Sequence, residues 1–139
     1  MSAEASGPRV DLIRAHFDAW NARDRAGMVA GIAEDVVVAE DEELQVAADS
    51  YRGHEGAFAL WQQLFDVAPD ARIDVTGIEE LDQNRLLVLL TVHATLRASG
   101  IAGSHEMAHI WEFRGSEVAR VDVFGSHAKA RSVGSGRPE

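Results

Sequence analysis

The chain has 139 residues, 46% of them hydrophobic and 26% charged, a balance that suits one soluble globular domain with its own core. It contains no cysteine, which excludes a disulfide framework, a thiolate metal site and a cysteine nucleophile. A formal net charge of −10 opposes partners that need clustered lysine and arginine, so neither a nucleic acid nor a membrane partner is expected.

The start, MSAEASGPRV, lacks a charged-then-apolar leader pattern, and no apolar run is long enough to span a bilayer, so the expected location is cytoplasmic. Residues 1–8 read as a flexible lead-in, 9–131 as a single domain and 132–139 as a flexible tail. From Arg9 to Ala22, Val10, Ile13, Phe17 and Trp20 recur at helical spacing, with Asp11 in the first turn. Asp24 is placed to cap a short second helix running to about Ala33. The β-branched run Val36–Val38 predicts a first strand that leads into the acidic residues 40–43.

Tyr51-Arg52-Gly53 precedes a third helix, His54 to about Val67, stopped by Ala68-Pro69-Asp70. Four strands follow, at about 72–80, 85–98, 103–114 and 117–125. Within the second of them Leu86, Val88, Leu90, Val92, Ala94 and Leu96 occupy every even position, so that face lines the interior and His93 lies opposite. A last helical turn is expected from His127 to Arg131. Helices first and a curved antiparallel meander afterwards define an α+β cone, with about three N-terminal helices on a sheet that encloses a pocket.

Gly115-Ser116 suits a two-residue II′ turn between the last two strands. Uninterrupted pairing from that turn opposes Trp111 with Arg120 and His109 with Asp122. Met107, His109, Trp111, Arg120, Asp122 and Phe124 then share one face, an apolar wall with a few convergent polar groups. A one-residue slip would exchange the second strand's faces, turning Val121 and Val123 inward and Arg120 and Asp122 outward.

In their order and spacing, FDAWNARD (17–24), AEDVVV (33–38), YRGHEGAFALW (51–61), AHIWEFRGSEVARVDVF (108–124) and SHAKARSVG (126–134) resemble the SnoaL-like branch of the nuclear-transport-factor-2-like superfamily. That superfamily holds ketosteroid isomerases, polyketide cyclases, dehydratases, epoxide hydrolases and non-catalytic binding domains on a cystatin-like cone. Superposed on ketosteroid isomerase, the oxyanion-hole tyrosine position falls on His16, the proton-transfer position on Glu40 and the late-strand aspartate position on His109. None of the three matches in identity, so steroid isomerisation is not implied, but all three positions carry titratable groups. The family's pocket wall falls on Leu90, Val92, Ala94 and Leu96, in agreement with the alternation above.

The resemblance thus implies a cofactor-independent acid/base enzyme, of isomerase, cyclase, dehydratase or hydratase type, on a small, largely apolar substrate. His109 would move the proton, oriented by Asp122, with Glu40 and His16 as the second acid/base or oxyanion partner. Trp20, Leu90, Val92, Ala94, Leu96, Met107, Trp111, Arg120 and Phe124 would line the substrate site, with Arg120 able to clamp a carboxylate or stack on Trp111. The alternative is a binding or dimerisation domain of the same fold, in which these groups are hydrogen-bonded or ion-paired core residues. A homodimer through the outer sheet face is expected. No metal site is: His105 and His109 lie about 13 Å apart along one strand, too far to share a ligand position.

Overall fold

The computed structural model describes residues 5–41 and 50–135; the acidic positions 42–43, the first four residues and the tail beyond 135 lie outside the described residues. The elements are α1 (Pro8–Ala22), α2 (Arg25–Val29), β1 (Ile32–Glu40), β2 (Ser50–Arg52), α3 (Gly53–Val67), β3 (Arg72–Glu80), β4 (Arg85–Thr95), β5 (Ala102–Arg114), β6 (Glu117–Phe124) and α4 (His127–Ser135). The strands form one sheet in the order β2-β1-β6-β5-β4-β3. Every neighbouring pair is antiparallel except β1 and β6, which run parallel. The last strand therefore slots between the first and the fifth and unites the two ends of the chain. Register shifts in β1, β3 and β6 mark β-bulges, which bend strands and curve the sheet.

The helix α1 starts with Pro8 at its first turn and buries Val10, Ile13, His16, Phe17 and Trp20 along one stripe. It ends on Arg23 in the left-handed conformation, φ 61°, with the Arg23 amide donating to the Trp20 carbonyl and the Asp24 amide to the Ala19 carbonyl. That is a Schellman closure with arginine in place of the usual glycine. The Arg23 guanidinium offsets the strain by donating to the carbonyls of Trp20, Pro69 and Ala71 and by lying 3.9 Å from the Phe65 ring centroid. Burial pulls this guanidinium below its usual pKa, partly opposed by Asp70.

Next to it, the Asn21 amide donates to the Ile73 carbonyl at 2.8 Å and accepts from the Ile73 amide at 2.9 Å. Asn21 thereby stands in for a neighbouring strand along the free edge of β3, where the Ala5 amide also donates to the Ile78 carbonyl. Asn21→Ala should lower unfolding free energy by about 1–3 kcal/mol in urea titration, because both Ile73 groups lose their partner. Wild-type stability in that variant would show that water replaces the amide without loss.

Several elements differ from expectation, and β4 ends at Thr95 rather than about 98. The second helix stops at Val29 rather than Ala33, because Gly31 takes φ 79° and Ile32 is needed in β1 opposite Val118. Tyr51 and Arg52 form a short strand on β1 instead of a simple lead-in. The last helix runs to Ser135, making four helices among the described residues. It covers the outer face of the sheet, where Ala130 packs with Leu87, Ala108, Ile110 and Phe124. The larger core lies on the opposite face, between the sheet and the helices α1 and α3. No helix among the described residues is long and apolar enough to cross a membrane.

Candidate active site

At the β5–β6 turn Gly115 has φ 65° and Ser116 keeps a negative φ, the II′ sign pattern. Arg114 pairs with Glu117 and Phe113 with Val118, and the ladder then skips one residue so that Glu112 pairs with Arg120. Ala119 is the extra, bulged residue. Trp111 consequently opposes Val121, and His109 opposes Val123. This corrects the uninterrupted pairing. Asp122 does not meet His109; it accepts from Arg120 at 3.1 Å, and neither residue lines the cavity. Phe124 also leaves the cavity and joins the cluster under α4. The physical reason is burial: the bulge turns Val121 and Val123 inward and spares the cost of desolvating a guanidinium and a carboxylate. The sequence carried that signal, since the apolar positions change parity between Val118 and Val121.

The inner face encloses a cavity of about 210 Å³, larger than the roughly 150 Å³ void that admits benzene. Its walls include Trp20 from α1, Leu90, Val92 and Ala94 from β4, Leu96 just past the end of that strand, and Met107 and Trp111 from β5. His16, Glu40 and His109 reach the same space. Phe17, Val36, Val38, Trp61 and His105, none of them among the pocket positions expected from the sequence, line the cavity as well. For the valines the inward parity of β1 was the available signal.

Glu40 pairs with Val123, and Val123 pairs with His109. The three thus form one row across adjacent strands, which sets the Glu40 and His109 backbones about 10 Å apart on the same face. That gap leaves room over Val123 for one edge of a ligand. Burial raises the Glu40 carboxyl above its usual pKa.

His16 is 4% exposed, and its Nδ1 lies 2.8 Å from the Met28 carbonyl oxygen. Burial pushes its pKa down to about 4, against the raising effect of that hydrogen bond. His109 is held differently. The Trp111 indole Nε1–H donates to His109 Nδ1 at 3.2 Å. Burial and then the neighbouring His16 push His109 down to about 3. Both imidazoles are therefore uncharged at neutral pH, and each serves as a hydrogen-bonding group rather than a cation.

A six-stranded sheet wrapped on helices around an apolar, titratable cavity defines the nuclear-transport-factor-2-like class of α+β cone. Residues 13–121 match the model of the SnoaL-like domain, and the chain belongs to that family. No curated protein sequence matches it. Solved structures agree on the fold. TerC, crystallised with polyporic acid, is 18% identical with a TM-score of 0.77, covering 92% of this chain and 98% of its own. An inferred SnoaL-like polyketide cyclase from Jannaschia sp. CCS1 is 15% identical with a TM-score of 0.75, covering 98% and 99%. A protein of ketosteroid isomerase-like fold from Catenulispora acidiphila, in complex with trimethylamine, is 13% identical with a TM-score of 0.72, covering 92% and 94%.

Proposed function

We propose that this SnoaL-like protein is an acid/base enzyme of isomerase or cyclase type, acting on a small, largely apolar carbonyl compound held in the cavity. One observation carries the reading: a carboxyl with a raised pKa and an uncharged histidine flank the same apolar space from one cross-strand row. Glu40 takes a proton from the carbon beside the carbonyl; the C–H bond breaks and its electron pair moves onto the oxygen. His109 Nε2–H donates to that developing oxyanion, as a neutral imidazole can. Glu40–COOH then returns the proton to a second carbon, or to a departing hydroxyl in a dehydration. His16 accepts from a ligand hydroxyl and sets orientation.

Asp122 takes no part, since its partner is Arg120. One feature favours a second reading, a binding module without turnover: neither histidine is oriented by a carboxylate among the described residues. Neighbouring structures crystallised with polyporic acid and trimethylamine suit small-molecule binding under either reading.

β-Tetralone, an enolisable bicyclic ketone, separates the two. Its α-proton exchange with deuterated water, followed by NMR, should be accelerated by the protein, and Glu40→Gln should slow it roughly 10²–10⁴-fold. Equal rates for the variant would remove Glu40 as the base. Binding without exchange in the wild type would leave the binding module.

A further inference from the structure

Of the three histidines that line the cavity, His105 is exposed, and the other two, His16 and His109, are held by partners of opposite kind. A backbone carbonyl can only accept, so His16 Nδ1, 2.8 Å from the Met28 oxygen, must carry the ring proton. A neutral imidazole has one, which leaves His16 Nε2 bare. An indole N–H can only donate, so His109 Nδ1, 3.2 Å from Trp111 Nε1, must be bare. His109 Nε2 then carries the proton. Neither Nε2 has a hydrogen-bonding partner among the described residues, and both side chains line the cavity.

Ring contacts hold the arrangement in place. The His16 ring centroid lies 4.7 Å from that of Phe17, 5.3 Å from Trp61 and 5.1 Å from Trp111. Trp111 therefore meets one histidine in a T-shaped ring contact and binds the other through its nitrogen. Among the described residues no lysine or arginine lines the cavity, and Glu40 is the single acid. An anionic ligand would meet no counter-charge there.

We propose that Trp111 and the Met28 carbonyl lock His109 and His16 in opposite neutral tautomers, so that the cavity presents one fixed N–H donor and one fixed nitrogen acceptor to an uncharged ligand bearing both an acceptor oxygen and a hydroxyl. Trp111 is in this scheme a positioning residue, acting through His109. The inference shares its cavity with the function proposed above but needs no turnover, so the two can fail separately.

The test is a long-range proton–nitrogen NMR correlation on the full-length, ligand-free protein with isotopically labelled histidine, assigned with His16→Gln and His109→Gln. The wild type should show His109 in the Nε2–H form and His16 in the Nδ1–H form. Trp111→Phe keeps a ring but removes the donor; His109 should become a mixture of both neutral forms while His16 stays as it was. A wild-type His109 in the Nδ1–H form, a His16 in the Nε2–H form, or a His109 unmoved by Trp111→Phe overturns the proposal. The wild-type spectrum decides even where the variant does not fold. By calorimetry β-naphthol should bind at least about ten-fold tighter than β-naphthoate. No binding of β-naphthol, or no preference for it, also overturns the proposal. Loss of β-tetralone exchange alone removes the enzyme reading and leaves the tautomer pair standing.

Discussion

Acidification from about pH 7 to about pH 4 is expected to cost this protein several kcal/mol of stability, most of it from two side chains. In the unfolded chain His16 and His109 take up protons near pH 6.5, whereas in the fold they do so only at about 4 and about 3. Their folded pKa values are depressed, so their stabilising contribution is complete above pH 6.5 and is lost as pH falls toward those values. Over that window the unfolded state binds up to two more protons, each worth about 1.4 kcal/mol per pH unit. The combined loss by pH 4 is on the order of 5 kcal/mol, comparable to the whole stability of a marginal domain. Glu40 works the other way, because its raised pKa lets the fold bind a proton first, and it offsets part of the loss. Urea titrations in unit steps between pH 7 and 4 would measure the slope. His109→Gln should remove about one proton's worth of it; an unchanged slope would mean that His109 is not buried neutral.

The second large effect is a rise in the pKa of His109. In Val123→Asp, a carboxylate occupies the site directly across from His109 on the same face, where paired Cβ atoms lie about 4.5–5.5 Å apart. An opposite charge at that range favours the imidazolium, so the His109 pKa should climb from about 3 by roughly 2 units or more. The price is stability, on the order of 2–5 kcal/mol, because a buried valine is replaced by a charge that must be desolvated. Val123→Asn serves as the uncharged comparison and should leave the pKa low. Histidine titration by NMR reads both. Placing the aspartate at 123 builds the dyad that residue 122 cannot form. A His109 that titrates alike in Val123→Asp and Val123→Asn would contradict the observed register.

Much of the architecture was legible because burial imposes a period on the chain. The even-numbered apolar residues of β4 read as an inner wall, and Leu90, Val92, Ala94 and Leu96 do line the cavity. The stripe of α1, the boundaries of β3 and the turn at Gly115-Ser116 follow from equally local chemistry. Two failures are instructive. The sequence pattern places Ile32 in a helix, but Gly31 breaks the helix and parallel pairing with β6 claims the residue as strand. The short strand β2 carries almost no pattern of its own and exists through its ladder with β1.

By itself, then, the sequence determined an α+β cone of the SnoaL-like family, its apolar wall, and a cavity reached by His16, Glu40 and His109. Only the tertiary structure decided which face of β6 looks inward. A strand's two-residue period holds no absolute phase once one residue bulges, and the choice at Ala119 depends on pairing with β1 and β5 at the same time. It likewise decided the protonation pattern of the cavity. A histidine's tautomer follows from the group that its other nitrogen meets, and here those groups are a carbonyl twelve residues away and an indole two residues away on the same strand face.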